Sequence, residues 1–429
     1  MRRALWLLGL GFVTGFGLLL IVGSMRYGGP RGLMQRVRAE IIQQRPQNAF
    51  VPTPLPTPTG AVPVAAATLA PAPTATARPT AEPTAVPAAP VVPTEMPTAA
   101  PTEPPAPAYA PAAPSVHLSG LRHAWQTWNN CGPATLAMYL SYYGSPLNQE
   151  DIRLVVRPNP EDKHAGAEEM ADLARSEGLR AIVRVNGTPE RMRLLLSNGV
   201  PVMLSTWHED DPGDGMGHYR LLVGYDDATQ EWIMYDSLAA TVGDRNAPYS
   251  GVRMTYARLA EWWRVFNHTY TVIYTEETAP VVHAILGEDL DDRAMWERAL
   301  ATARGAVEQA PEDPFAWFNL GSDLVALEQY EEAAAAFDRA RQIGLPWRML
   351  WYQFTPFPAY YHTGRHQEVV ALADATLRVT THLEELHYWR GMGLVALGNP
   401  SAGAEAFRRA LSLKPGFPPA AQALEGLGG

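Results

Sequence analysis

The sequence holds one cysteine, Cys131, in the run Gln126-Thr127-Trp128-Asn129-Asn130-Cys131-Gly132-Pro133-Ala134. A lone cysteine excludes a disulfide framework within the chain, and no Cys/His cluster has zinc-site spacing. Cys131 is therefore either a small buried hydrophobe or a nucleophile. Asn129 and Asn130 are turn or cap residues, and Pro133 suits a first helical turn. Leu136, Tyr139, Leu140 and Tyr143 then recur at helical spacing up to Gly144. Cys131 thus falls at a helix N-terminus, where the dipole and free N–H groups lower a thiol pKa. A thiolate there would attack a carbonyl carbon. From this segment alone the structural role stays open.

A nucleophile needs a base. Residues 218–237, HYRLLVGYDDATQEWIMYDS, read as strand, turn, strand. With the turn near Asp227–Gln230, the numbers of facing residues add to about 456–457. Asp236 then lies opposite residue 220, and His218 near residue 238, so His218 and Asp236 are close neighbours that can share a face. A carboxylate beside an imidazole fixes its tautomer and orientation. Taken singly, each fits an ordinary strand end. His208 is the second choice of base. Glu209, Asp210, Asp211 and Asp214 form an acidic loop before His218 whose spacing does not fit an EF-hand. Around these residues, 147–156, 166–178 and 188–199 read as helices, and 179–185 and 200–207 as strands.

Together these residues resemble the papain-like cysteine peptidases of the bacteriocin double-glycine leader type, over roughly 121–275. The resemblance rests on Gln126, the Cys131-Gly132-Pro133-Ala134 helix start, Gly217-His218-Tyr219, Val223-Gly224-Tyr225-Asp226 and Tyr235-Asp236. It implies Cys131 as nucleophile, His218 as general base and later acid, and Asp236 as orienting group. It also implies Gln126 as an oxyanion-hole donor, although Gln126 stands one residue closer to the cysteine than in the papain pattern. The implied reaction is hydrolysis of a peptide or protein substrate through a thioester. An amidase or transpeptidase-like acyl transfer, and a catalytically silent peptide-binding adaptor, are the alternatives. No cofactor and no metal enter this reading.

Residues 285–429 resemble tetratricopeptide repeats. Trp317, Leu320, Gly321, Tyr330, Ala333, Phe337 and Ala340 set the pattern, and Gly391, Leu394, Gly398, Phe407 and Ala410 repeat it. A degraded middle copy runs through WYQFTPFPAYY, broken by Pro356 and Pro358, and a leading helix covers 299–314. Such a stack binds a protein partner in its groove, or serves as a structural cap.

The remaining sequence concerns placement. Residues 4–22 are nineteen uncharged, mostly apolar positions after Arg2 and Arg3, long enough to span a bilayer. A signal-anchor over 1–23 and a basic juxtamembrane segment over 24–45 are expected. Residues 46–115 carry 20 of the 39 prolines and only four charged residues; they read as a disordered Pro/Thr/Ala-rich stalk in extended polyproline geometry. A peptidase-like domain at 116–278 and the repeats at 285–429 complete the chain. The fold class is thus α+β papain-like followed by an all-α solenoid. The formal net charge of −10 divides into +6 over residues 1–45, −2 in the stalk and −7 in each folded region, which argues against nucleic acid as a partner. The expected location is a single-pass cell-membrane protein with an extracytoplasmic body.

Overall fold

The structure is a computed structural model that describes residues 50–56, 109–209, 213–238 and 249–428. The expected anchor, the basic segment and most of the proline-rich tract lie outside the described residues, as do Asp210 and Asp211. Among the described residues no helix is long and apolar enough to cross a membrane.

The central region is a seven-stranded antiparallel sheet flanked by helices. Its strands are β1 (Ser115–His117), β2 (Arg180–Arg184), β3 (Val202–His208), β4 (Met216–Asp226), β5 (Glu231–Tyr235), β6 (Val252–Thr255) and β7 (Tyr270–Tyr274). The order is β2-β7-β3-β4-β5-β6, and β1 adds to β4. β3 and β7 are buried along their whole length, as expected for strands covered on both faces. The β4–β5 register pairs Leu221 with Tyr235 and Leu222 with Met234, then shifts by one so that Gly224 pairs with Ile233. Both sums expected from the sequence occur, one on each side of a bulge. Gly224 is required at this point: a Cβ there would lie 2.2 Å from the Val116 carbonyl oxygen of β1.

Helix α1 (Cys131–Tyr142) is buried on all sides, so it is a core helix rather than an amphipathic one. Tyr139 fixes it to the sheet. Its hydroxyl accepts from the Ile273 amide at 2.8 Å and donates to backbone carbonyls of Pro201 and Ile273. α2 (Gln149–Val156) has a full capping box from Asn148 and Asp151. α3 (Ala167–Ser176) follows, and α4 (Pro189–Ser197) is capped by the Thr188 side chain with Pro189 in its first turn. α5 (Tyr256–Arg264) and α6 (Ala279–Leu286) complete this region.

The C-terminal part is helical: α7 (Asp292–Gln309), α8 (Pro314–Ala326), α9 (Tyr330–Ile343), α10 (Pro356–His362), α11 (His366–Leu377), α12 (Glu384–Ala396), α13 (Pro400–Leu413) and α14 (Pro418–Gly426). Small residues let paired helices approach. A Cβ on Gly321 would meet the Phe337 ring at 2.7 Å, and one on Gly391 the Phe407 ring at 2.4 Å. The middle copy has no full first helix. It has a 3₁₀ turn at Trp347–Trp351 and the short α10 beginning at Pro356.

Residues 50–54 and the described residues from 109 onward belong to one compact body. One hydrophobic core is common to the sheet region and the repeats: Trp207, Trp262 and Val265 pack with Phe318, Met349, Leu350 and Trp351. Lys414, after α13, forms ion pairs with Glu169 of α3 and with Glu384. Within the tract expected to be disordered over 46–115, residues near 51 and near 115 are held to the body. Val51 is buried in the repeat core, its amide donates to the Leu345 carbonyl at 2.8 Å, and Arg341 Nε donates to the Pro52 carbonyl at 2.7 Å. Extended Pro-flanked backbone offers few donors of its own and suits such edge pairing. At the other end, Ser115–His117 are β1.

Candidate active site

Cys131 is the first residue of α1 and is half-buried. The turn before it is tight, with Asn129 in the left-handed region at φ 57°, which Asn tolerates. Asn130 occupies the cap position but makes no side-chain cap. Its amide instead donates to Thr127 Oγ1 at 2.7 Å and accepts from Arg157. Among the described residues no side chain caps the first-turn N–H groups of α1, which suits them to an anion.

β4 and β5 supply the partners. His218 Nε2 lies 2.7 Å from Asp236 Oδ1, and both side chains are buried. The other ring nitrogen, Nδ1, is left for the thiol. Asp236 Oδ1 also accepts from the Leu238 amide at 2.8 Å, and Oδ2 accepts from Arg220 Nε at 3.0 Å. Burial pushes the Cys131 thiol up, but a hydrogen bond to His218, the His218 charge, the Tyr219 amide and Arg157 outweigh it, so its pKa falls below the ordinary value. Burial pulls His218 down, and Asp236 with Cys131 more than offsets this against the opposing charge of Arg220, so its pKa rises. Burial would raise the Asp236 carboxyl, but His218 and Arg220 hold it well below the usual carboxylate range. The structure thus brings Cys131, His218 and Asp236 together.

Residues 120–270 match the model of the Peptidase_C39 like family. The resemblance read from the sequence is borne out over this stretch. No curated protein sequence matches the chain. Among solved structures the chain is similar to a putative C39-like peptidase from Bacillus anthracis, at 14% identity and a TM-score of 0.30, covering 38% of this chain and 98% of that one. It is also similar to the peptidase domain of Streptococcus ComA, a bifunctional ABC transporter involved in a quorum-sensing pathway. There the identity is 16% and the TM-score 0.28, over 37% of this chain and all of that one. The helical part is similar to TTC0263, a thermophilic TPR protein of Thermus thermophilus, at 20% identity and a TM-score of 0.27, covering 33% of this chain and 77% of that one.

The fourth expected site residue of the C39-like domain, Gln126, is held by Ser237. The Gln126 amide donates to the Ser237 carbonyl at 2.9 Å, and Ser237 Oγ donates to Gln126 Oε1 at 2.9 Å. Fixing Oε1 turns the side chain so that Nε2 is the end available as donor. Gln126 is not part of the wall of the cavity beside Cys131. His208, the second choice of base, is 6.0 Å ring to ring from His218 and bonds Arg220 through Nδ1 at 3.0 Å. In the acidic loop, Glu209 accepts from Trp207 Nε1 at 3.2 Å and Asp214 pairs with Arg348 at 2.6 Å. No cluster of acidic, His or Cys groups that could hold a metal occurs among the described residues.

Three groups near the site were not read from the sequence. Arg220 is fully buried, lies over the Trp262 ring at 4.6 Å and also donates to Thr206 Oγ1 at 2.5 Å. Arg157 is buried and donates to the carbonyls of Pro160 and Asp162 at 2.9 and 2.7 Å. It ties the turn before Cys131 to the loop after α2. His123 Nε2 lies 2.8 Å from the Asp236 carbonyl oxygen. The cavity holds about 330 Å³ and is lined by Cys131, His218, Tyr219, Phe266, Tyr352 and Gln353 among others. Two of these, Tyr352 and Gln353, come from the repeat region.

Proposed function

We propose that the chain is a membrane-anchored cysteine peptidase with a helical-repeat module for protein interaction. The observation that carries the reading is the buried His218–Asp236 pair set against the thiol at an uncapped helix start. With the thiol lowered and the imidazole raised, the pair favours thiolate and imidazolium. The thiolate attacks the scissile carbonyl carbon and forms a C–S bond. The oxyanion is met by the Cys131 backbone N–H and the Gln126 Nε2 group. His218 gives its proton to the leaving amine, the C–N bond breaks and a thioester results. His218 then takes a proton from water, which attacks the thioester and returns the thiol. Asp236 keeps its charge throughout and holds the ring.

The apolar run at 4–22 is the proposed anchor, and the proline-rich tract supports an extracytoplasmic body. The helical hairpins support a role for the repeats in binding a protein partner. Digestion of a peptide library by the purified full chain, read by mass, tests the activity. Hydrolysed peptides that disappear with Cys131→Ala are expected. Ligated or deamidated products instead would mean a different acyl transfer, and no turnover would mean a silent binding domain.

A further inference from the structure

We propose that Tyr352 and Gln353, in the interrupted middle repeat, form a wall of the substrate cleft and select an uncharged, apolar or aromatic side chain beside the scissile bond. The inference rests on Cys131 as the nucleophile. It goes beyond that reading by giving the repeat region a part in specificity.

The interruption has a structural use. A regular repeat would carry these residues in a helix packed only on its neighbours. Here the 3₁₀ turn and Pro356 release residues 352–355 from helical geometry. Arg348 anchors the turn to the loop before β4. It is buried, pairs with Asp214 at 2.6 Å, and donates to the Asp214 and Gly215 carbonyls at 2.9 and 3.2 Å. The Tyr352 ring then lies on Gly217, the residue before His218. A Cβ on Gly217 would stand 2.9 Å from that ring. Gln353 Nε2 donates to the Val265 carbonyl at 3.2 Å, beside Phe266. Phe354 meets the His164 ring edge-on at 5.3 Å. The repeat segment thus touches both the His218 strand and the 163–168 segment, and Tyr352 and Gln353 face the cavity that holds Cys131.

The lining sets the chemistry. Phe266, Tyr219 and Tyr352 supply aromatic surface, and Thr206, Thr269 and Gln353 neutral polar groups. Apart from the Cys131–His218 pair, the ionisable lysine, histidine and glutamate of the wall are confined to residues 163–168. An apolar side chain leaves no polar group unpaired in such a space, whereas a charged one loses hydration without a partner from the repeat wall.

The test reads the single thiol directly. The full chain is alkylated with iodoacetamide, N-benzyl-iodoacetamide and N-(2-aminoethyl)-iodoacetamide, and Cys131 modification is followed by mass. For the native protein the benzyl reagent is expected to outpace the parent. Tyr352→Ala should lower the benzyl-to-parent rate ratio by about 5-fold, the scale of a lost aromatic contact, while Tyr352→Phe should keep it. Gln353→Glu should raise the relative rate of the amine-bearing reagent. The parent iodoacetamide rate reports that the catalytic centre is intact in each variant. If Tyr352→Ala does not fold, Tyr352→Leu and Gln353→Glu decide. Ratios equal to the native ones in these variants overturn the inference. The ratios are read whether or not any peptide is cleaved. A chain that cleaves nothing but shows the expected shifts would sink the peptidase reading and leave the repeat wall standing.

Discussion

Asp236 divides its carboxylate between two basic side chains: Oδ1 serves His218 and Oδ2 serves Arg220. The charge raises the His218 pKa against burial, while Arg220 opposes that rise and locks the carboxylate in place. Because the folded pKa of Asp236 is depressed, its contribution to stability is full above its unfolded value near 3.9 and is lost as pH falls through the folded value. Asp236→Asn keeps the shape but removes the charge, so the His218 pKa should fall. The alkaline limb of the cleavage pH profile should move to lower pH and kcat/KM should drop roughly 10²-fold or more. An unmoved limb would assign the His218 shift to another group. Cys131, His218 and Asp236 were legible because residue type, helix start and hairpin register each point to them. Arg220 was not read, although the same register places it opposite Asp236 and two residues after His218 on the same strand face. Arg157 was not read either, because nothing in its spacing links the end of α2 to the turn before Cys131.

At the element scale, the strand-turn-strand reading survives, but a bulge between Leu222 and Gly224 joins two registers. The sequence sign of the bulge is Gly224, which β1 requires for its close approach. β6, α5 and β7 were not read from the sequence. Where the 264–269 turn meets α8, Asn267 Nδ2 donates to Asp323 Oδ1 at 2.5 Å. Asp323 is fully buried, and among the described residues its Oδ2 has no hydrogen-bond partner. Burial pushes its carboxyl up to about 8. An acid whose folded pKa is raised costs stability as pH rises from its unfolded value near 3.9 toward 8. Asp323→Asn removes that cost. Its melting temperature should exceed the native one by about 2–5 °C at pH 8, and by less at pH 5. Equal melting temperatures at both values would mean that water or a counter-charge reaches Asp323.

For the whole molecule, the sequence divides the folded material into a catalytic part and a binding part, whereas the core and the cavity wall are common to both. The repeat pattern was legible from Trp317 to Ala340 and from Gly391 to Ala410, where side-chain size repeats with the helix pairs. The broken copy was legible as a defect but not as a contact, because Tyr352 and Gly217 are joined only by the fold. Val51 was hidden by composition: one valine in a proline-rich tract gives no signal that it is buried beside Leu345. Its pairing fixes the start of that tract to the body.

The central claim, that Cys131 and His218 form an activated pair, is tested most directly by the pH dependence of Cys131 alkylation by iodoacetamide. In the native chain the rate should reach its plateau at a pH below the ordinary thiol pKa of about 8.5. In His218→Ala the rate below that plateau should fall, and the midpoint of the profile should move up toward about 8.5. A native profile that titrates near 8.5 and is unchanged by His218→Ala would contradict the account.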